Sequence, residues 1–348
     1  MKTIVGTSGM VRQVNRDLIR NTLKGMDGAS VADLARATGL SIATCSTLIH
    51  ELAKADEIVE LAAESQGGRP ARRYAYNVNH SLVATVMFRT TGEAAEIRHS
   101  VRNGAGASLE DGLEPFSSFS LEIVNTLFTR LMKKYPNIKA ASLSIPGIVC
   151  DGEIEACDIE GMAGLNPERH VADTFGLRTI SENNMNLAAM GFYSLHAGEI
   201  ASGLVYAAFH LNQLPGMGIV VNGSLVKGKS AFAGEVGVIP HAVARSGGKK
   251  AREREQLISH MAAIAVSAIA MINPDVFVLT GHLATPDLHD PVRARCLEHI
   301  DERHLPRFVV RPEYEEDSLE GMTALALASL SGDVKLIEKE RLWSDPER

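Results

Sequence analysis

At 348 residues the chain is long enough for two or three domains, each with a full core. Its 45% hydrophobic and 22% charged residues place it among ordinary globular proteins. A net charge of −7 argues against a general polyanion binder, yet residues 1–80 hold ten Lys and Arg against eight Asp and Glu while the remainder is acidic; such a split suits a DNA module attached to a sensor. In chain order, the first predicted element is a helix from Val11 to Lys24, with Val14, Leu18, Ile19 and Leu23 as its apolar stripe. Gly25 and Gly28 end it. Ser30, with Asp33 three residues on, marks the N-cap of a second helix in which Leu34 and Ala35 face inward. Gly39 makes the turn that a helix-turn-helix needs. Ser41 caps a third helix whose buried face is Cys45, Leu48, Ile49 and Leu52. Its outward face near the N-terminus holds Ser41, Ala43, Thr44, Ser46, Thr47 and His50, mostly short polar groups able to approach base edges and phosphates.

Those helices alone also fit a plain three-helix bundle with a polar face. A predicted wing follows: a strand at Ile58–Leu61, a partner at Arg72–Tyr76, and Gly67-Gly68-Arg69-Pro70 at the tip. Glycines allow the tip unusual backbone angles and a close approach to a surface. Arg69, Arg72 and Arg73 supply cations for phosphates or a narrow minor groove. The bland alternative is a solvated basic hairpin, but behind a recognition helix the wing points to duplex DNA.

Residues 80–335 alternate predicted strands (Val83–Phe88, Ala141–Ile145, Gly203–Phe209, Gly218–Val221, Val276–Thr280) with predicted helices at 119–135, 184–196, 254–273 and 319–331. The pattern is that of an α/β body with helices covering its sheets. Asn273-Pro274 stops the long helix, and Asp151-Gly152 reads as a hairpin turn. Arg252-Glu253-Arg254-Glu255 reads as a solvated helix start, Glu313–Asp317 as an acidic loop before the last helix, and most of the twelve histidines as surface residues. The four cysteines, Cys45, Cys150, Cys157 and Cys296, form no CxxC pair, so neither a zinc ribbon nor a disulfide framework is expected. The start of the chain lacks the apolar core of a signal peptide, and the apolar stretch Met261–Ile272 is shorter than the roughly 20 residues that span a bilayer, which predicts a cytoplasmic protein.

The body resembles the ROK family of repressors and sugar kinases. The resemblance runs through Ser144–Val149, Ser181-Glu182-Asn183-Asn184-Met185-Asn186, Gly218–Gly223, Ala233-Gly234-Glu235-Val236-Gly237 and Ile272-Asn273-Pro274-Asp275, with Gly281 beyond; the Gly-Gly-Arg-Pro wing is similar to that of the family's repressors. It implies an actin-like (ribonuclease H-like) two-lobed ATPase fold behind a winged helix-turn-helix. It also implies where a kinase would keep its machinery, and there the chain departs. The proton-accepting aspartate of the kinases falls on Asn184, an amide that hydrogen-bonds a hydroxyl but takes no proton at neutral pH. The first phosphate loop falls on Phe88–Gly92, with Arg89 near the expected aspartate, and the second on Leu211–Gly216, without its glycine cradle. The family's zinc-ligating histidine falls on Val238, and no cysteine lies between Cys157 and Cys296, so neither a metal nor another cofactor is expected.

The resemblance thus implies a transcriptional regulator, a repressor of carbohydrate-related genes, with no enzyme activity. Residues 1–79 would be the DNA-binding domain, 80–335 a sugar-sensing and dimerising body, and 336–348 a tail. Its partners would be an operator duplex, a sugar or sugar derivative, and a second copy or a dimer of dimers. Asn183, Asn184 and Glu235 are the candidate ligand residues; a turn role for Asn183 and a salt bridge or cap for Glu235 stay open. Two rival readings also stay open: an active sugar kinase with an appended DNA module, and a DNA-binding dimer that senses nothing.

Overall fold

The computed structural model describes residues 8–62, 72–91, 94–211, 213–239 and 250–330. The wing tip with Arg69 and the stretch 240–249 therefore lie outside the described residues. The chain divides into a smaller unit containing Met1–His80 and a larger one spanning Ser81–Ala328.

The smaller unit holds α1 (Ser8–Lys24), β1 (Ala29–Ser30), α2 (Val31–Thr38), α3 (Ile42–Lys54), β2 (Ile58–Leu61) and β3 (Arg73–Tyr76). Its sheet has three strands in the order β1-β3-β2, one more than the sequence predicts. The added strand is two residues long, too short to leave a periodic signal. Ser30 and Asp33 form a reciprocal capping box at the start of α2. Gly39, at φ 72°, takes the left-handed conformation that the α2–α3 turn requires. Ile19, Leu23, Leu34, Cys45, Leu48, Ile49, Leu52 and Ile58 make one core. The predicted stripe of α1 needs one correction: Leu18 is 40% exposed, and Ile19 and Leu23 carry the packing instead. Under α1 lies an ionic group with no periodic signature: Glu57, 7% exposed, receives the guanidinium groups of Arg16 and Arg20, and Arg20 also pairs with Asp17.

The larger unit has two lobes of the same design. In the first, β4 (Leu82–Thr91), β5 (Ala94–Arg102), β6 (Ser108–Phe116), β7 (Ile138–Ile145) and β10 (Arg178–Asn183) form a sheet in the order β6-β5-β4-β7-β10, and β8 (Gly147–Cys150) pairs with β9 (Glu153–Cys157) beside it. α4 (Leu121–Lys134) and α5 (Pro167–Phe175) cover one face. In the second, β11 (Gly203–Ala208), β12 (Gly216–Val221), β13 (Ser224–Leu225), β14 (Val276–Thr280) and β15 (Arg307–Arg311) repeat the order as β13-β12-β11-β14-β15. Each sheet is two antiparallel pairings followed by two parallel ones. This is the internal duplication of the actin-like fold, explicit in topology though invisible as a sequence repeat.

α6 (Asn184–Leu195) packs on one face of the second sheet, while α7 (Lys250–Ile272) and α8 (His289–Leu297) pack on the other. The window Glu253–Ile272 of α7 is long and apolar enough to cross a membrane by length and composition, and here it is a core helix whose Ile258, Met261, Ala265 and Ile269 sit under the sheet. α9 (Glu315–Leu330) returns to the first lobe, where Leu319 and Met322 join Met87 and Leu187. α6 and α9 cross closely at two glycines: a Cβ on Gly191 would stand 1.8 Å from the Asp317 carbonyl oxygen.

One further expectation is corrected. Glu315, Glu316 and Asp317 are the first turn of α9, not a loop before it; carboxylates there complement the positive end of the helix dipole. Asp317 is also buried, accepting the Tyr206 hydroxyl at 2.7 Å and facing Arg311 Nε at 3.0 Å. Among the described histidines His99 is the buried exception, 3% exposed between Glu110, Glu114 and Arg130. Burial holds its imidazole below the usual value, hence neutral. The Asp151-Gly152 turn joins β8 to β9 as expected, with both residues at positive φ.

Candidate functional site

In the smaller unit the N-terminal turn of α3 is the candidate DNA-reading surface. Ser41 Oγ accepts from Thr44 N at 3.1 Å and lies 2.8 Å from Thr44 Oγ1, and Thr47 Oγ1 donates to the Ala43 carbonyl at 3.0 Å. These hydroxyls hold the helix start and keep further lone pairs for an incoming group. Ser46 and His50 are exposed on the same helix. Ile42 is 64% exposed at the first position of α3, an apolar group the sequence reading passed over. Its spacing three residues before Cys45 suggests burial, but the first turn lies beyond the core.

The two described wing arginines differ. Arg72, with a side chain 72% exposed, meets Glu60 at 3.4 Å, a weak surface contact. Arg73 Nη2 donates to the Gly28 carbonyl at 2.7 Å, which ties β3 to the end of α1. Arg73 is thus partly a fold residue, whereas Arg72 is open to phosphate. Arg69 lies outside the described residues.

In the larger unit Asn183 and Asn184 lie where the parallel strand β10 ends, the usual place for ligands in such sheets, and Glu235 follows the β12–β13 hairpin. Asn183 ends β10 and caps α6: its Oδ1 accepts from Met185 N at 2.8 Å and Asn186 N at 3.2 Å, and its Nδ2 donates to the Gly147 carbonyl at 2.8 Å. The turn role left open by the sequence is therefore present, and one N–H remains for a ligand. Glu182 braces this corner, accepting from Asn183 N and Asn186 Nδ2 and pairing with Lys227 at 2.8 Å. Asn184 Oδ1 accepts from Met185 N at 3.0 Å, and its backbone carbonyl oxygen accepts from Ser318 Oγ at 3.3 Å.

Glu235 follows Gly234, a residue at φ 100°, and is half-buried. Burial pushes its carboxyl above the usual range, and the charge of Asp158 pushes it further. Burial raises Asp158 in the same direction. Carboxyls held above their usual range by burial can both donate to and accept from hydroxyls. Asp158 is a candidate that sequence reasoning missed. It follows the β8–β9 hairpin, and nothing in its neighbours marks it.

Near the end of β4, Arg89 Nε donates to Glu96 at 2.6 Å and Nη1 donates to Glu315 at 2.9 Å, so this cation is held between two carboxylates. At the second loop His210 and His282 stand at the ends of β11 and β14. Val238, at the family's histidine position, is 58% exposed. A groove of about 360 Å³ along α7 and α8, lined by Ala263, Ser267, Arg295 and His299 among others, lies apart from these residues.

No family model matches the chain. It is 22% identical over 233 residues to a xylose repressor of Bacillus spizizenii and 21% identical over the same length to that of Bacillus subtilis. Each match covers 65% of this chain and 60% of the relative, so the chain spans less than two thirds of the repressors it resembles. Its fold matches a ROK family transcriptional regulator, a homologue of the E. coli MLC protein, with a TM-score of 0.68 at 16% identity over 92% of this chain and 97% of that one. It also matches a ROK glucokinase of Streptomyces griseus bound to glucose and AMPPNP, with a TM-score of 0.54 at 17% identity over 71% of this chain and 99% of the kinase. The chain has the ROK fold, an α/β actin-like body with a further N-terminal unit.

Proposed function

We infer, from a ROK fold combined with similarity to xylose repressors, that this protein is a ROK-type transcriptional regulator: a sugar-responsive repressor that binds an operator and transfers no phosphate. The observation that carries the reading is the coexistence of a winged unit with a cleft in which Arg89 is locked to Glu96 and Glu315 and an amide, Asn184, stands in the base position. We assign DNA binding to residues 1–79, ligand sensing and dimerisation to 80–335, and a tail to 336–348. The protein acts in the cytoplasm, where its operator is.

On the DNA side, Ser41, Thr44, Ser46 and Thr47 meet bases and phosphates, and Ile42 offers an apolar contact for a thymine methyl. Arg69, Arg72 and, through its remaining N–H groups, Arg73 neutralise phosphates. Two copies on paired half-sites raise affinity and set spacing. For Arg69→Ala we expect weaker binding to every duplex and a salt slope smaller by about 1, the share of a single phosphate contact. Titrations at several salt concentrations check it; an unchanged slope removes Arg69 from the interface.

On the ligand side, Asn183, Asn184 and Glu235 receive sugar hydroxyls, with Asp158 beside them, and the bound sugar shifts the population between DNA-competent and incompetent states. Thermal shift against a sugar library identifies the ligand, because a true ligand stabilises the fold it binds. For Glu235→Gln we expect roughly 10- to 100-fold weaker sugar binding, the loss of a charged hydrogen bond, with operator affinity kept. The heavy engagement of Asn183 in capping favours one other reading, a body that only dimerises. A flat thermal-shift screen across the library supports that alternative.

A further inference from the structure

The geometry points to a transition-metal site in the cleft of the larger unit, formed by the Nδ1 atoms of His210 and His282 and suited to Zn²⁺, Ni²⁺ or Cu²⁺. His210 follows the end of β11 and His282 follows the end of β14, two adjacent parallel strands paired up to Ala208 and Thr280. The two Nδ1 atoms are 3.0 Å apart, and the rings lie at 67° with centroids 5.1 Å apart. Bonds of about 2.0–2.1 Å from one metal to two imidazole nitrogens put those nitrogens roughly 2.9 Å apart at a right angle and about 3.3 Å apart at a tetrahedral one. The observed spacing is thus already that of two neighbouring ligands, and a metal seated to one side of the N···N line, with the rings turned toward it, can bind both without moving either strand.

The backbone is built for this convergence. Gly281, at φ 92°, precedes His282, and a Cβ there would stand 2.5 Å from the Phe209 carbonyl oxygen and 3.0 Å from His210 Cε1. A side chain at that position would push the two rings apart. The Tyr314 ring holds His210 edge-on from the other side, with centroids 5.8 Å apart. His282 is exposed, which leaves an entry path and room for water or an external ligand to complete the coordination. Imidazole nitrogens select Zn, Cu and Ni over hard oxygen-seeking cations. Among the described residues no three His, Cys, Asp or Glu side chains converge, so the site is a two-histidine one with open positions. It is independent of the regulator reading, since metal binding is measured without DNA or sugar.

The test is calorimetric titration of untagged, EDTA-stripped, full-length protein with Ni²⁺ and Zn²⁺, with Cu²⁺ followed by electron paramagnetic resonance. We expect one metal ion per chain, undisturbed by excess Mg²⁺, and a Cu²⁺ spectrum showing coupling to nitrogen. His210→Ala and His282→Ala should each lose that binding event while their metal-free melting curves match the parent. His282 is exposed, so its truncation leaves the core intact and decides the matter if His210→Ala folds poorly. Absence of binding to the parent protein, or wild-type binding by His282→Ala, overturns the proposal.

Discussion

Glu57→Ala is expected to destabilise the N-terminal unit by about 3 kcal/mol, because it strands two arginines that were paired in a largely buried place. Glu57 is 7% exposed, and the side chains of Arg16 and Arg20 are 28% and 17% exposed. Arg16 and Arg20 sit about two and three turns into α1, and Glu57 lies in the chain between α3 and β2, so the group fixes α1 against the end of α3. In full-length protein, amide exchange in α1 and α3 should accelerate roughly 100-fold, the factor equivalent to that free energy. Glu57→Gln keeps the acceptor and shape but not the charge, and should fall in between. Burial alone would raise the Glu57 carboxyl, but the hydrogen bond and charge of Arg20, and then the charge of Arg16, outweigh it and hold the group below its ordinary value. The sign follows from that depression: the contribution is whole above the unfolded carboxyl's range and is lost as pH falls through the lower folded value. Unchanged exchange in Glu57→Ala would mean that the ion group is ornamental and that the core of Ile19, Leu34 and Leu52 holds α1 alone.

The second large effect is expected at Asp317. Its side chain is fully buried at the start of α9, where it accepts the Tyr206 hydroxyl and faces Arg311. Asp317→Ala leaves a hydroxyl on Tyr206, itself 0% exposed, without its acceptor and removes the charge opposite Arg311. The cost should again be about 3 kcal/mol. For a unit of this size that is a fall of about 6–12 °C in melting temperature. Tyr206→Phe in the Asp317→Ala background separates the two contributions, because removing the stranded hydroxyl should recover part of the loss. The change also reaches the cleft, since Asp317 lies two residues from Glu315, whose carboxylate holds Arg89. A melting temperature unchanged by Asp317→Ala would mean that the Gly191–Gly321 crossing and the Leu319 and Met322 contacts fix α9 without it.

The parts of the fold that could be read in the sequence are those with periodic apolar faces and marked ends. α3, with Cys45, Leu48, Ile49 and Leu52 inward and Ser41 as its cap, is one. The buried strand β14, Val276–Thr280, is another, being an almost continuous apolar run. β6 escaped because it is an edge strand whose few apolar residues, Leu109, Leu113 and Phe116, are interrupted by Glu, Asp, Gly and Pro, and its pairing comes from its neighbour β5. β1 escaped because it is too short to have a period. α9 began earlier than its apolar pattern because its first turn is acidic. Asn183, Asn184 and Glu235 are singled out by motif order, and the structure adds what motif order cannot carry: that Asn183 caps a helix and that Arg89 has two carboxylate partners. Asp158 and the His210–His282 pair are brought in from distant positions by tertiary structure, and no local pattern announces them.

The most direct measurement on the regulator reading is selection of duplex DNA from a random pool by the folded full-length protein. Enrichment of one inverted repeat, bound with steep salt dependence, is the predicted result. Recovery of a pool no different from the input would contradict it.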